Sequence, residues 1–430
     1  MTDTQEIFLK CLRQFVNSGR NNAEVNCQNV KCQEENSIHE ISIHESLIDD
    51  KEIDFNEFDL LMRWHHVLPI VVEVLSDSVD YEKIPDELWK KWKKESRRLV
   101  TIQFQKNYTC MELCEKMKKA GIRFCVIKGI QCQVLYKKPE LRTSKDMDIL
   151  VNEQDLEVCN DFLVDEGFKP KNILDERAYE SSYYNPNNNV VIDVHRSLLP
   201  IGDNIILENL LKATGEVNTF RYEGHCFAGL EDTVLLFYLI SHAEKHFIIS
   251  GFGIRQLLDI LMVAREKKNN IKWDCLFEMV EKTGMSLFVK AMFQIGDRYL
   301  GFSEEYRLVC DHIGECVDCG NLLWDILDAG SFGKTSTGRM HSVHVTKGKA
   351  AGESRIKIVR KALFPDIVYM RRQFSYVDRH PWLLPVSFWH RIIRYLKEKG
   401  DGGVKNGSLQ FAKKRSSILK QYGIKKLKSS

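Results

Sequence analysis

Nowhere in the 430 residues is there an uncharged apolar run near the ~20 residues that a bilayer span requires, so a membrane-spanning chain is not expected. The opening stretch, MTDTQEIFLKCLRQF, carries acids early and lacks an apolar signal core, so it does not read as a secretion signal. A cysteine framework is missing too: thirteen cysteines, an odd number, are scattered without regular spacing. In a chain of this size that pattern fits free thiols in a reducing cytosol rather than disulfides. There is no strong overall charge. A net +2 with 43% hydrophobic residues excludes whole-chain disorder and fits a globular protein of roughly two to four structural units. No internal repeat is visible. The Gly-rich P-loop signature ending in Gly-Lys-Ser/Thr is absent, and so is the Gly-x-Ser-x-Gly elbow of serine hydrolases.

The near-neutral total conceals an asymmetry. Residues 346–430 carry 21 Lys and Arg against 5 Asp and Glu, a net +16 that leaves −14 on the rest. A basic C-terminal segment on an acidic body points to an anionic partner: a phosphorylated substrate, a nucleic acid or other polyanion, or an anionic membrane face. A solvated basic tail is the plain alternative.

Patterning divides the chain into four regions. Residues 1–105 read as helical, clearest at 57–68, where apolar residues recur at helical spacing and Pro69 lies just beyond. Residues 20–50 read as a polar excursion. Residues 106–215 read as a small α/β unit. There, a helix through Cys110, Leu113, Cys114, Met117 and Ala120 stops at Gly121, and short strands follow at 123–127 and 147–151. Asn152 can cap a helix over 153–166. Segments 178–184 and 190–195 read as a hairpin joined by Asn185-Pro186-Asn187-Asn188-Asn189. Residues 216–345 read as helical, clearest at 234–246 and 254–265. Residues 346–430 hold the basic segment, an amphipathic helix at 388–399 and a frayed tail. The expected fold class is α+β, mainly helical, with one small mixed sheet.

The sharpest chemical feature is Asp146-Met147-Asp148-Ile149. On a strand, residues i and i+2 share a face, so two carboxylates stand side by side and repel unless a cation sits between them. Hard divalent cations prefer oxygen ligands, and magnesium held beside phosphates typically uses one or two carboxylates. A third acid lies in Val191-Ile192-Asp193-Val194-His195. Alternation puts Asp193 and His195 on one face and Ile192 and Val194 on the other. A lone carboxylate among β-branched neighbours is costly to desolvate, so Asp193 is expected to have a metal or a basic partner. Two adjacent acids plus a third on a neighbouring strand can hold two ions about 3.5–4 Å apart, an arrangement suited to phosphoryl or nucleotidyl transfer. Lys128-Gly129 directly follows a strand; the glycine lets backbone approach a phosphate and the lysine offers a point charge. Arg142, Ser144 and Lys145, just before the acid pair, are placed to reach phosphate oxygens. An exposed acid pair and a solvated basic loop are the plain alternatives.

Other constellations read more quietly. His242 and His246 share a helix face with Leu235 and Leu239, as buried histidines or as a helical face over the site. In the second case His242, with His195, stands near substrate. Arg255 and Asp259, four apart, read as a helix-stabilising salt bridge. Cys310, His312, Cys316 and Cys319 lack the second knuckle of a zinc site, so free thiols are expected. The helix at 388–399 puts Phe388, Trp389, Ile392, Ile393 and Leu396 on one side and cations on the other. That is the pattern of an interfacial helix and equally of one docked on a core.

Val126-Ile127-Lys128-Gly129, Leu135-Tyr136, the run from Arg142 through Asp146-Met147-Asp148 to Val151, and Val191-Ile192-Asp193-Val194-His195 together resemble a known family. It is the uncharacterised nucleotidyltransferases, a branch of the DNA polymerase β-like nucleotidyltransferase superfamily. The resemblance extends more weakly to 241–246, 257–260, 328–333 and 380–396. It implies a polymerase β-like palm at 106–215 flanked by N- and C-terminal helical regions. It implies that Asp146 and Asp148 bind two magnesium ions and the nucleoside triphosphate, and that Asp193 completes the metal site and helps activate the acceptor hydroxyl. It implies transfer of an NMP from an NTP such as ATP to a small-molecule or sugar-type hydroxyl, releasing pyrophosphate. One departure is evident: the superfamily's loop is Gly-Ser or Gly-Gly, whereas Gly129 precedes Ile130 and sixteen residues separate Gly129 from Asp146. Three alternatives stay open: transfer to a protein side chain, as in AMPylation; a catalytically silent nucleotide or polyanion binder; and RNA binding through the basic segment. The expected location is the cytoplasm, with or without peripheral contact at a membrane surface.

Overall fold

Helix α1 (Asp3–Asn17) starts where local chemistry dictates. The Thr2 side chain accepts from the Gln5 backbone N–H while the Gln5 side chain reaches back to Thr2, a reciprocal cap. Helix α2 (Phe55–Trp64) is capped by Asp54, and α3 (Leu68–Ser76) follows after His66 turns the chain at φ 55°. The single helix expected over 57–68 is therefore two. Pro69 opens the second rather than closing the first, because a proline in the first turn has no N–H to lose.

The long helix α4 (Asp86–Lys119) comes next, then β1 (Phe124–Ile127), the short α5 (Gly129–Gln133) and β2 (Met147–Val151). After them come α6 (Leu156–Asp165), β3 (Lys169–Pro170), β4 (Glu180–Tyr184), β5 (Val191–His195), β6 (Val217–Tyr222) and β7 (His225–Leu230). The helices beyond are α7 (Asp232–Ile249), α8 (Ile254–Glu266), α9 (Trp273–Thr283), α10 (Ser286–Ile295), α11 (Ser303–Ile313), α12 (Gly320–Ala329), α13 (Leu384–Lys397) and α14 (Val404–Gln421). The structure, a computed structural model, describes residues 1–18, 47–48, 52–171, 180–198, 217–249, 251–314, 318–330, 370, 374, 376–377, 380–397 and 404–424. Most of the excursion expected at 20–50, and of the basic segment between 346 and 369, lies outside them.

The seven strands form one mixed sheet in the order β3-β4-β5-β2-β1-β7-β6. Strand β2 runs antiparallel to β1 and parallel to β5; β4 closes onto β5 through the expected hairpin. Asn189 supplies its left-handed residue at φ 56°. The fold is α+β with a mixed sheet, as expected, but the sheet runs on past residue 215. The β6–β7 hairpin, absent from the sequence reading, pairs through β7 with β1. Gly229 is required there: a Cβ would meet the Gln131 side chain at 2.8 Å. That side chain in turn ties α5 to the backbone of Leu230.

Alternation gives the sheet two unlike faces. Met147, Ile149, Val151, Ile192, Val194 and Tyr183 point to one side and pack on the C-terminal part of α4 and on α6. Asn152 caps a short 3-10 turn ahead of α6, so the α-helix begins later than the cap suggested. The other side carries Cys125 and Ile127 into the larger core built by α1–α3, α7–α10 and the N-terminal part of α4. The 34-residue α4 thus serves both cores, with Trp89 and Trp92 in one and Leu113 and Met117 in the other. Burying a large apolar side chain contributes about 1.5–3 kcal/mol, so each face of the sheet is firmly held.

Candidate active site

The register sets the site. Asp148 pairs with Asp193 across parallel strands, and Ser182 pairs with Asp193 on the far side. One row of the sheet therefore reads Ser182, Asp193, Asp148, and the next reads Glu180, His195, Leu150. All project to the face opposite Ile149 and Ile192. Asp146, Asp148 and Asp193 line one cleft of about 220 Å³, closed on its other wall by α7 and α8 through His242, His246 and Arg255.

The three acids differ electrostatically. Burial alone would raise the Asp148 carboxyl, but the Lys128 ammonium and the His195 ring hold it well below the usual range. Lys128 Nζ lies 3.2 Å from Asp148 Oδ1, and His195 Nε2 lies 2.9 Å from the same oxygen. Asp146 is raised, by burial and then by Asp148. Asp193 is pushed up to about 6, by burial and by Asp148 and Asp146, although Ser182 donates to it at 2.5 Å. Two of the three carboxylates thus sit in an environment short of positive charge. Among the described residues no three His, Cys, Asp or Glu side chains already stand as a metal-holding group. Lys128 occupies one oxygen of Asp148 and Ser182 one of Asp193. The donor set is nonetheless all carboxylate oxygen, the chemistry a hard divalent cation takes.

Lys128 is held at a backbone cost. Its φ of 55° and ψ of −138° belong to glycine, yet the residue is lysine. Its side chain accounts for this: besides Asp148 it reaches His242 Nε2 at 3.2 Å and lies 5.2 Å over the Tyr238 ring. Despite burial, Asp148 and Tyr238 keep the ammonium charged. His242 Nε2 also lies 3.3 Å from His246 Nε2. Burial and the neighbouring cations push both imidazoles down, His246 to about 4, so both are neutral at pH 7.

The remaining expected site residues divide. Gly129, at φ 43°, opens α5 and lines the cleft, as does Ser144, whose backbone N–H donates to Gln103 at 2.7 Å. Lys145 is exposed, and its carbonyl accepts from Lys106. Arg142 does not keep the free guanidinium a phosphate ligand needs. It is buried, forked onto Asp259 at 3.0 and 2.6 Å, and its Nη1 donates to the Gly129 carbonyl at 3.3 Å. The helix-stabilising pair expected between Arg255 and Asp259 is accordingly not formed, because Arg142 takes both oxygens of Asp259. His195 is buried against Asp148 rather than lining the cleft. His242 does line it. Glu180, Tyr238 and Arg255 join the site unanticipated; for Glu180 the signal was available in the alternation that leads to Ser182. Of the candidate zinc run, Cys316 lies outside the described residues. Cys310 and Cys319 are free thiols, and His312 stacks on Phe277.

A family model described as uncharacterised nucleotidyltransferase matches residues 51–301, more than half of the chain, from just ahead of α2 through α10. The chain belongs to this family. Membership supports nucleotidyl transfer in its general form and a nucleotide as substrate. Among solved structures, an antigenic nucleotidyltransferase-like protein from Paracoccidioides brasiliensis is similar at 11% identity and a TM-score of 0.31, covering 47% of this chain and 92% of that one. No curated protein matches. Among the described residues no helix is long and apolar enough to cross a membrane.

Proposed function

We propose that the chain transfers an NMP from an NTP to an acceptor hydroxyl, with release of pyrophosphate, using Asp146, Asp148 and Asp193 and two magnesium ions. The observation that carries this reading is the direct register of Asp148 with Asp193 above a cleft that Asp146 also lines. Magnesium bound by these three carboxylates would neutralise triphosphate charge and stabilise the attacking and leaving oxygens. His195 fixes the orientation of Asp148 through its 2.9 Å contact. Asp193, in direct register with Asp148 and facing the cleft, is the carboxylate placed to help activate the acceptor hydroxyl. Lys128 supplies a cation beside the phosphates. The acceptor is best read as a small-molecule or sugar-type hydroxyl; a protein hydroxyl, as in AMPylation, uses the same groups.

The test is pyrophosphate release from each NTP with magnesium present, in the wild type and in Asp146→Asn and Asp148→Asn variants of confirmed fold. Each variant should lose at least about 100-fold in rate. A double variant that retains full activity removes the proposal, and NTP binding without turnover in the wild type favours the silent-binder reading.

A second assignment concerns the C-terminal region. Helix α13 packs Leu384 and Phe388 against Phe374 and Val377, while Trp382, Val386 and Trp389 remain exposed at 74%, 54% and 67%. Val386 and Trp389 are three apart on α13 and Trp382 stands in the 3-10 turn just before it, in a segment of net +16. Tryptophan beside cations suits the headgroup layer of an anionic membrane. Co-sedimentation with phosphatidylglycerol vesicles, but not with phosphatidylcholine vesicles, is expected. Trp382→Ala/Trp389→Ala should abolish it; equal binding by that variant refutes the assignment.

A further inference from the structure

Two guanidiniums meet at the start of α8, and only one is neutralised. Arg142 makes a two-pronged contact with Asp259, and the Tyr136 hydroxyl donates to Asp259 Oδ1 at 2.8 Å. Asp259 thus accepts three hydrogen bonds, none of them from Arg255. Arg255, one turn earlier on α8, is left with a donor contact from Nη1 to the Thr143 carbonyl. Its Nε is buried without a hydrogen-bond partner. Among the described residues it forms no ion pair, although Asp146 is close enough for the Arg255 charge to counter part of its rise.

The helix start adds to this imbalance. Helix α8 has no acid in its first turn, where the positive end of the helix dipole favours one, and its Ile254 N–H is already taken by His65 Nδ1 at 3.1 Å. It carries Arg255 there instead. A buried Nε–H without a hydrogen-bond partner is costly to hold. This one is held in the wall of the cleft that contains Asp146, Asp148 and Asp193.

We infer that the Arg255 side chain, projecting from the first turn of α8, forms an anion subsite that takes the terminal phosphates of a nucleoside triphosphate, in the role the loop position of Arg142 suggested. The inference rests on the nucleotidyl-transfer reading and deepens it by naming which end of the substrate faces α8. A planar guanidinium matches phosphate oxygens with two parallel donors. The carboxylates lie on the opposite wall, so a triphosphate anchored at Arg255 extends its inner phosphates toward Asp146 and Asp148. Arg142 is then a positioning residue. Its Asp259 contact removes the acid that would otherwise neutralise Arg255, and its contact with Gly129 holds the loop below.

The test is calorimetric titration of the full chain with ATP, GTP, CTP, UTP, AMP and inorganic tripolyphosphate, in magnesium, for wild type, Arg255→Gln and Arg255→Lys. Thermal melts of each variant confirm the fold. Arg255→Gln should weaken tripolyphosphate and the bound NTP about 10- to 100-fold, the worth of a lost charge-assisted contact, and change AMP affinity less than twofold. Arg255→Lys should fall between. Equal triphosphate affinity in wild type and Arg255→Gln overturns the inference, as does an equal loss for AMP, which would mark a general structural role. Tripolyphosphate binding that depends on Arg255 without binding of any NTP keeps the subsite and removes the nucleotidyl-transfer reading. Absence of both overturns the subsite.

Discussion

The two faces of the central sheet are made by the same few residues and behave oppositely. On β2 and β5, Met147, Ile149, Ile192 and Val194 alternate with Asp148, Asp193 and His195. The first set is buried against α4 and α6 with no polar partner to satisfy. The second meets Lys128, Ser182 and the polar side of α7. A β-strand's period of two lets one five-residue segment hold the fold on one side and concentrate uncompensated charge on the other. The apolar face is what keeps the charged face in place. Two repelling carboxylates would otherwise separate.

The contrast is sharpest where the charged face has a built-in counter-ion. Replacing Lys128 by Met leaves buried Asp148 with His195 as its remaining contact. In urea denaturation without divalent cations it should cost about 3–5 kcal/mol, the usual penalty for removing one partner of a buried pair. Lys128→Gly should cost less by about 1–3 kcal/mol, because glycine adopts the φ of 55° without strain. A Met variant as stable as wild type would mean that the pair does not hold this face together.

On the apolar face the expectation is packing alone. Ile149 is fully buried between the strands and α4. Ile149→Ala should cost about 2–5 kcal/mol in stability, and the spread reflects how far the cavity can close. At temperatures where the variant is still folded, nucleotide affinity should stay within about threefold of wild type. A large loss of binding in a folded Ile149→Ala protein would show that the two faces are not separable.

These faces were largely legible before any coordinates, since alternation in 147–151 and 191–195 states which residues share a side. The same logic could have found the β6–β7 hairpin, whose turn at Glu223-Gly224 is marked by positive φ at both residues. What local patterning cannot see is competition from a distance. Arg255 and Asp259 satisfy the i, i+4 rule, but Asp259 is taken by Arg142, 117 residues away in the chain. That Arg255 faces the cleft without an ion pair among the described residues is a product of that long-range pairing. Pro69 shows the same weakness on a smaller scale: a helix breaker and a helix opener are the same residue until the turn at His66 is known.

The smallest effect expected is the most specific to the charged face. The Asp193 carboxyl stands near 6 instead of its ordinary 3.8, because burial and the neighbouring Asp148 and Asp146 disfavour its charge. The folded chain then binds this proton more tightly than the unfolded chain does. Its contribution to stability is complete below pH about 4 and is lost as pH rises through about 6. Asp193→Asn removes the loss. Without divalent cations, the variant and wild type should melt together at pH 4, with the variant melting higher at pH 7.5. Magnesium should then raise the melting temperature of wild type at pH 7.5 by more than that of the variant, because one of the three carboxylates it would neutralise is gone. If Asp193→Asn instead melts lower at pH 7.5, the carboxylate is already compensated in the folded chain, and the charge imbalance that distinguishes this face from its apolar reverse does not exist.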